Sequence, residues 1–134
     1  MVEREEYIYP LEEYDNDCKR IAEWAKDRGF KNIYGVCRGG WTPAVRLSHL
    51  LMLPIVRYEE DITRDTLIVE DLVHGGDTME RLFNVIGKRE NFRIAVLFYK
   101  KDAKVRPDFF VREWTKWVRF PWETKESSRR DGTV

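Results

Sequence analysis

An apolar run that begins at Leu67 ends in two adjacent carboxylates, Glu70 and Asp71, followed by Leu72, Val73, His74, Gly75, Gly76, Asp77 and Thr78. Apolar residues without alternation mark a strand buried on both faces, whose charged carboxyl end must reach solvent. The glycine turn then feeds a helix, because Met79, Leu82, Phe83 and Ile86 fall at i, i+3, i+4 and i+7 ahead of Gly87. Carboxylates and free backbone N–H groups are thereby brought to one place.

The same order occurs earlier in the chain. Asn32 to Val36 is a short β-favouring run, and Cys37, Arg38, Gly39 and Gly40 form a second glycine loop. Thr42 and Pro43 are expected to cap and open a helix containing Ala44, Leu47, Leu50 and Leu51. Ahead of these, Tyr14, Cys18, Ile21, Ala22 and Ala25 form the apolar stripe of a helix that Gly29 is expected to close. Residues 53–58 read as a strand, 58–65 as a short polar connection and 93–100 as another buried strand. The aromatic-rich stretches Asp108 to Trp114 and Lys116 to Trp122 read as strand or extended segments. Strands alternating with helices predict an α/β fold: an open, mostly parallel twisted sheet flanked by helices, with right-handed crossovers. Ligands of such sheets bind outside the carboxyl ends of the strands. Both glycine loops fall on that edge, with Lys100 and Lys101 at the end of a third strand.

At 134 residues the chain is expected to form one domain, 1–134, with 124–134 as a flexible polar tail. Its 24 basic and 24 acidic side chains cancel, so no global field favours nucleic acid or an anionic membrane as partner. No apolar stretch approaches the roughly 20 residues that span a bilayer. The acidic N-terminal segment is unlike a signal peptide, so a cytoplasmic location is expected. Cys18 and Cys37 fit neither a disulfide framework nor a C-x-x-C pair, and His49 lies far from His74, so a zinc site is not expected.

Successive N–H groups of Gly75, Gly76, Asp77 and Thr78 at a helix start form an anion cradle, with the Thr78 hydroxyl as an extra donor. The G-x-x-x-x-G-K-[ST] loop of nucleoside triphosphate binders and the G-x-G-x-x-G dinucleotide fingerprint are both absent. Two carboxylates directly before the cradle repel a bare triphosphate, yet accept hydrogen bonds from a sugar diol or hold a magnesium ion. The implied ligand is a sugar phosphate.

The stretch from Leu67 to Thr78 resembles the phosphoribosyl pyrophosphate signature of type I phosphoribosyltransferases: hydrophobic residues, two acids, two hydrophobic residues and a phosphate loop ending in Gly-x-Thr. Gly35 to Ala44 resembles the pyrophosphate loop of the xanthine-guanine members. Phe98 to Asp102 and Lys116 to Glu123 are similar to that family's base-binding lysine and stacking aromatic. The matches run in the family's order from about Asn32 to Glu123.

This resemblance implies a type I phosphoribosyltransferase fold with a small C-terminal hood. The implied reaction is transfer of phosphoribosyl from phosphoribosyl pyrophosphate to hypoxanthine, guanine or xanthine, giving a nucleoside monophosphate and pyrophosphate. Arg38, Gly39 and Gly40 would hold pyrophosphate. Glu70 and Asp71 would grip the ribose hydroxyls and bind Mg2+, and Gly75, Gly76, Asp77 and Thr78 would take the 5-phosphate. Lys100 would donate to the purine's exocyclic oxygen, Trp117 would stack on its ring, and Val118 would offer backbone to its edge. Glu123 is read as a rim carboxylate, and a homodimer is the usual family state.

The chain departs from the family pattern in three ways. His74 stands where the 6-oxopurine enzymes place an aspartate as general base; a neutral imidazole can accept the same proton. Gly75 replaces a threonine. The connection before Leu67 is much shorter than the family's mobile loop, which would leave the reacting groups more open to water. These departures give the rival reading its content: a catalytically weak or inactive protein that binds phosphoribosyl pyrophosphate or a nucleotide and regulates.

Overall fold

The computed structural model describes residues 5–129, so the flexible tail expected over 124–134 lies outside the described residues from 130 on. Four strands form one parallel sheet in the order β2 (Asn32–Gly35), β3 (Thr66–Val73), β4 (Arg93–Tyr99) and β5 (Phe109–Glu113). In register, Ile68 lies between Tyr34 and Ile94, and Val73 lies beside Tyr99. The central strands β3 and β4 are buried on both faces almost throughout, which accounts for the apolar runs at 67–69 and 94–99; β3 continues past the acidic pair to Val73, so Glu70 is buried within the strand rather than at a solvent-exposed end.

Helices cover both faces. Alternate residues of a strand point to opposite sides, so Leu67 and Val69 meet α1 (Leu11–Ala25) and α2 (Trp41–Leu51) through Cys18, Ile21, Ala25, Ala44 and Leu47. Ile68, Ile94 and Val96 on the other face pack against Met79 and Leu82 of α3 (Asp77–Ile86) and against Phe92. A fully buried side chain of this kind contributes about 1.5–3 kcal/mol. Both α2 and α3 follow strands whose carboxyl ends lie side by side, and this fixes the two glycine loops next to each other. The connection from β4 back to β5, residues 100–108, contains no helix and folds over the end of the sheet instead.

Four boundaries differ from expectation. Residues 53–58 do not form a strand: only Ile55 bridges to Ile33, because Pro54 has no N–H to donate and offers its carbonyl to Ile33 N at 3.0 Å. Helix α2 starts at Trp41 with Gly40 at its N-cap, two residues earlier than a Thr42 cap would set it. The loop closes tightly enough for Gly40 N to reach Val36 O at 2.9 Å and for Gly40 O to accept from Ala44 N at 3.0 Å. Helix α1 ends at Ala25 rather than running to Gly29, since Asp27 already turns left-handed at φ 64°. A short strand β1 (Glu6–Ile8), not expected from the sequence, pairs in parallel with β6 (Trp117–Arg119). This two-stranded ribbon stands apart from the main sheet, joined to it by Tyr9, Phe98 and Phe120 in edge-to-face contact. The chain then turns at Thr124, where the Thr124 and Ser127 hydroxyls accept from each other's backbone N–H groups, at 3.0 and 2.8 Å. Among the described residues no helix is long and apolar enough to cross a membrane.

Candidate active site

A cleft of about 970 Å³ opens at the carboxyl ends of β2 and β3. Its wall is built by the loop after β2, the end of β3, the bend before α3 and the segment after β6. Of the residues singled out in the sequence, Arg38, Gly39, Glu70, Asp71, His74, Gly75, Gly76, Asp77 and Thr78 line it.

The two glycine loops are held by backbone geometry. Gly40 sits where a β-carbon would overlap Val69 O and come within 2.7 Å of Val36 N, so it closes the first loop against β3 without itself lining the cleft. The Cys37–Arg38 peptide is cis. Gly39 lies directly under the Asp71 carboxylate, which a β-carbon there would displace. In the second loop Gly76 has φ 92°, and an added β-carbon would stand 2.9 Å from Val105 N and 3.0 Å from Lys104 N. Gly75 is different: its φ is not positive and nothing crowds it beyond Asp77 Oδ2 at 4.0 Å.

The acidic pair is desolvated. Glu70 is buried and accepts a hydrogen bond from Asp71 N at 2.9 Å. Burial first, and the neighbouring Asp71 charge second, raise its pKa well above the usual carboxylate range. Burial also raises Asp71, against hydrogen bonds that lower it. Across the cleft Glu123 is raised by burial and by the Asp71 charge, while the Phe120 N–H at 2.8 Å and the Arg38 charge pull it down. Two adjacent oxygen donors short of positive charge suit a hard cation, which binds through one or two carboxylates and completes its shell from phosphate oxygens and water. Among the described residues no three His, Cys, Asp or Glu side chains gather into a closed metal site. Glu70 and Asp71 are the residues that could hold such a cation.

No protein-family model matches the chain. Xanthine-guanine phosphoribosyltransferase of Vibrio atlanticus (strain LGP32) is 30% identical in a match that covers 82% of this chain and 84% of that one. The chain belongs to the type I phosphoribosyltransferase family. Solved structures agree in fold. The purine phosphoribosyltransferase of Pyrococcus horikoshii superposes with a TM-score of 0.76 at 28% identity, covering 89% of this chain and 95% of that one. The xanthine-guanine-hypoxanthine enzyme of Helicobacter pylori gives 0.76 at 22% identity, covering 91% and 96%. The regulatory reading gains no support from these phosphoribosyltransferase relatives.

Within the family frame, three residues assigned to the base stand outside the cleft's lining. Lys100 closes β4, its backbone N–H bound to Val73 O and its ammonium 3.2 Å from Asp102. Trp117 lies on the ribbon and donates to Ser128 Oγ at 3.3 Å, so the turn at 127–129 stands beside it. Val118 is buried among Tyr9, Phe98 and Phe120 and offers only backbone. The cleft itself takes its aromatic wall from Trp41 and Trp122; Trp122 is also stacked on Phe120 at 5.1 Å. His74 is exposed at the bend, and the Trp114 ring meets it edge-on at 4.5 Å. The lining role of Trp122 and the placement of Trp114 were not legible in a run of alternating bulky residues, since Trp114 is set by the pairing of β5 with β4, its backbone N–H on Tyr99 O at 2.9 Å, and Trp122 by the turn after β6.

Proposed function

We propose that the cleft transfers a phosphoribosyl group from phosphoribosyl pyrophosphate to a purine base, releasing pyrophosphate and a nucleoside monophosphate. The observation that supports this most is the contact of the two loops: Asp71, near the carboxyl end of β3, lies directly over Gly39, with the glycine bend beside it. A pentose held by Glu70 and Asp71 would thereby have its 5-phosphate in the bend and its pyrophosphate against Arg38 and Gly39.

The protein is a pentosyltransferase of the purine class. The base nitrogen attacks the anomeric carbon as the bond to pyrophosphate breaks, and catalysis comes from positioning and charge stabilisation. Glu70 and Asp71 would hold magnesium, whose charge would stabilise the leaving pyrophosphate. Amides of Gly75 to Thr78 and the Thr78 hydroxyl hold the phosphoryl group at the start of α3. His74, on the cleft wall, takes the proton released by the attacking ring. For the base, Trp122 supplies the stacking face from the cleft wall in place of Trp117, and Lys100, just after β4, exchanges Asp102 for the exocyclic oxygen at position 6. Dimerisation through the exposed Trp41 and Val45, adjacent on α2, would cover apolar surface next to the cleft. A phosphorylated sugar substrate, which does not cross membranes freely, supports a cytoplasmic location for the enzyme.

The test is to mix protein, magnesium and phosphoribosyl pyrophosphate with hypoxanthine, guanine, xanthine, adenine and orotate in turn. Nucleotide and pyrophosphate should appear in equal amounts with at least one 6-oxopurine. Tight binding of phosphoribosyl pyrophosphate without product from any base would contradict the reading.

A further inference from the structure

The return loop from β4 to β5 reaches the phosphate bend. Lys104 N donates to Gly75 O at 3.0 Å, and the backbone of Lys104 and Val105 lies against Gly76 so closely that only glycine fits there. The Lys104 side chain then crosses the bend, with Nζ 2.6 Å from Asp77 Oδ1. Asp77, first residue of α3, leans back over the loop, its other oxygen 4.0 Å from the place of a Gly75 β-carbon.

Both partners are well exposed, Lys104 at 59% and Asp77 at 74% of the side chain. A pair so open to solvent does little for stability. It does answer an electrostatic problem. A carboxylate within the cradle would repel an incoming phosphoryl dianion, and backbone amides alone bring partial charges only. The cation paired with Asp77 at the bend is Lys104, while Arg81, one turn along α3 on the cleft wall, acts on Asp77 without an ion pair.

We infer that Lys104 is the phosphoryl-binding cation of this site, held ready by Asp77, whose carboxylate occupies the bend until a phosphoryl group takes over the ammonium. This rests on the bend being the 5-phosphate site. It deepens that reading by adding a residue from a third chain segment, one that no glycine-loop motif contains. Asp77 is then a positioning residue acting through Lys104.

The test is calorimetric titration of wild type, Lys104→Gln, Lys104→Arg, Asp77→Asn and the Asp77→Asn/Lys104→Gln double variant with guanosine 5′-monophosphate and with guanosine. Lys104→Gln should weaken nucleotide binding about tenfold, as loss of a charge-assisted hydrogen bond does, and leave guanosine binding unchanged. Lys104→Arg should restore most of the loss. The same loss should persist when Lys104→Gln is made on the Asp77→Asn background, because the lysine then still meets phosphate. Unchanged nucleotide binding in Lys104→Gln, an equal loss for guanosine, or disappearance of the loss on the Asp77→Asn background would overturn the inference while leaving the phosphate site standing. Wild type that binds nucleotide no better than nucleoside would overturn both.

Discussion

The Asp71 carboxylate covers the α-carbon of Gly39, so the acidic end of β3 and the loop after β2 form one surface. Any side chain at position 39 must push that carboxylate aside. Gly39→Ala should fold, with a loss of about 1–3 kcal/mol typical of overpacking, and should raise the KM for phosphoribosyl pyrophosphate at least tenfold. Thermal denaturation and initial-rate kinetics check the two parts separately. A normal KM would mean the carboxylate has no part in holding the pentose.

The two glycines of the bend answer to different constraints. Gly76 combines φ 92° with backbone atoms at 2.9 and 3.0 Å, whereas Gly75 has neither a positive φ nor a close neighbour. Gly76→Ala should cost more than about 1 kcal/mol through strain and overpacking. Gly75→Ala should be neutral or stabilising by about 0.4–1 kcal/mol. Urea denaturation of both variants decides it, and equal losses would contradict the geometry described.

The segment from Leu67 to Ile86 was legible because its signals are local: an unbroken apolar run, a glycine bend and a 3.6-residue stripe. Strand β1 was not, since its partner Trp117 lies at the far end of the chain and three residues carry no periodicity. Leu53 to Tyr58 has strand-like composition, yet Pro54 limits it to a single bridge. Lys104 sits in a polar stretch with no pattern of its own. Only the helix-free return from β4 to β5 brings it to Asp77. The turn after β6 likewise separates Trp122, on the cleft wall, from Trp117, beside Ser128.

Burial raises both Glu70 and Asp71, so in the absence of a divalent cation the folded chain holds protons that the unfolded chain has released. The window opens at the ordinary carboxylate range, about 4, and extends upward through the raised values. Across it the folded state binds more protons, and stability falls as pH rises. Glu70→Gln should flatten this slope. Denaturant midpoints measured across that range without magnesium check it; identical slopes in variant and wild type would remove the acidic pair as its source.

His74 stands at the bend with Trp114 edge-on to its ring. If the imidazole takes the proton of the attacking base, His74→Ala should lower kcat about a hundredfold or more, with little change in the KM for phosphoribosyl pyrophosphate. Single-turnover rates with saturating base read this directly. Full turnover in the variant would exclude His74 from the chemistry.

The central claim is that the amides after Val73 hold a phosphoryl group while Glu70 and Asp71 hold the attached pentose. A crystal structure with a purine nucleoside 5′-monophosphate bound measures this directly. The phosphoryl oxygens should lie within hydrogen-bond distance of the N–H groups of residues 75–78, with the ribose hydroxyls on the two carboxylates. A phosphoryl group seated elsewhere, or a ribose turned away from the acidic pair, would contradict it.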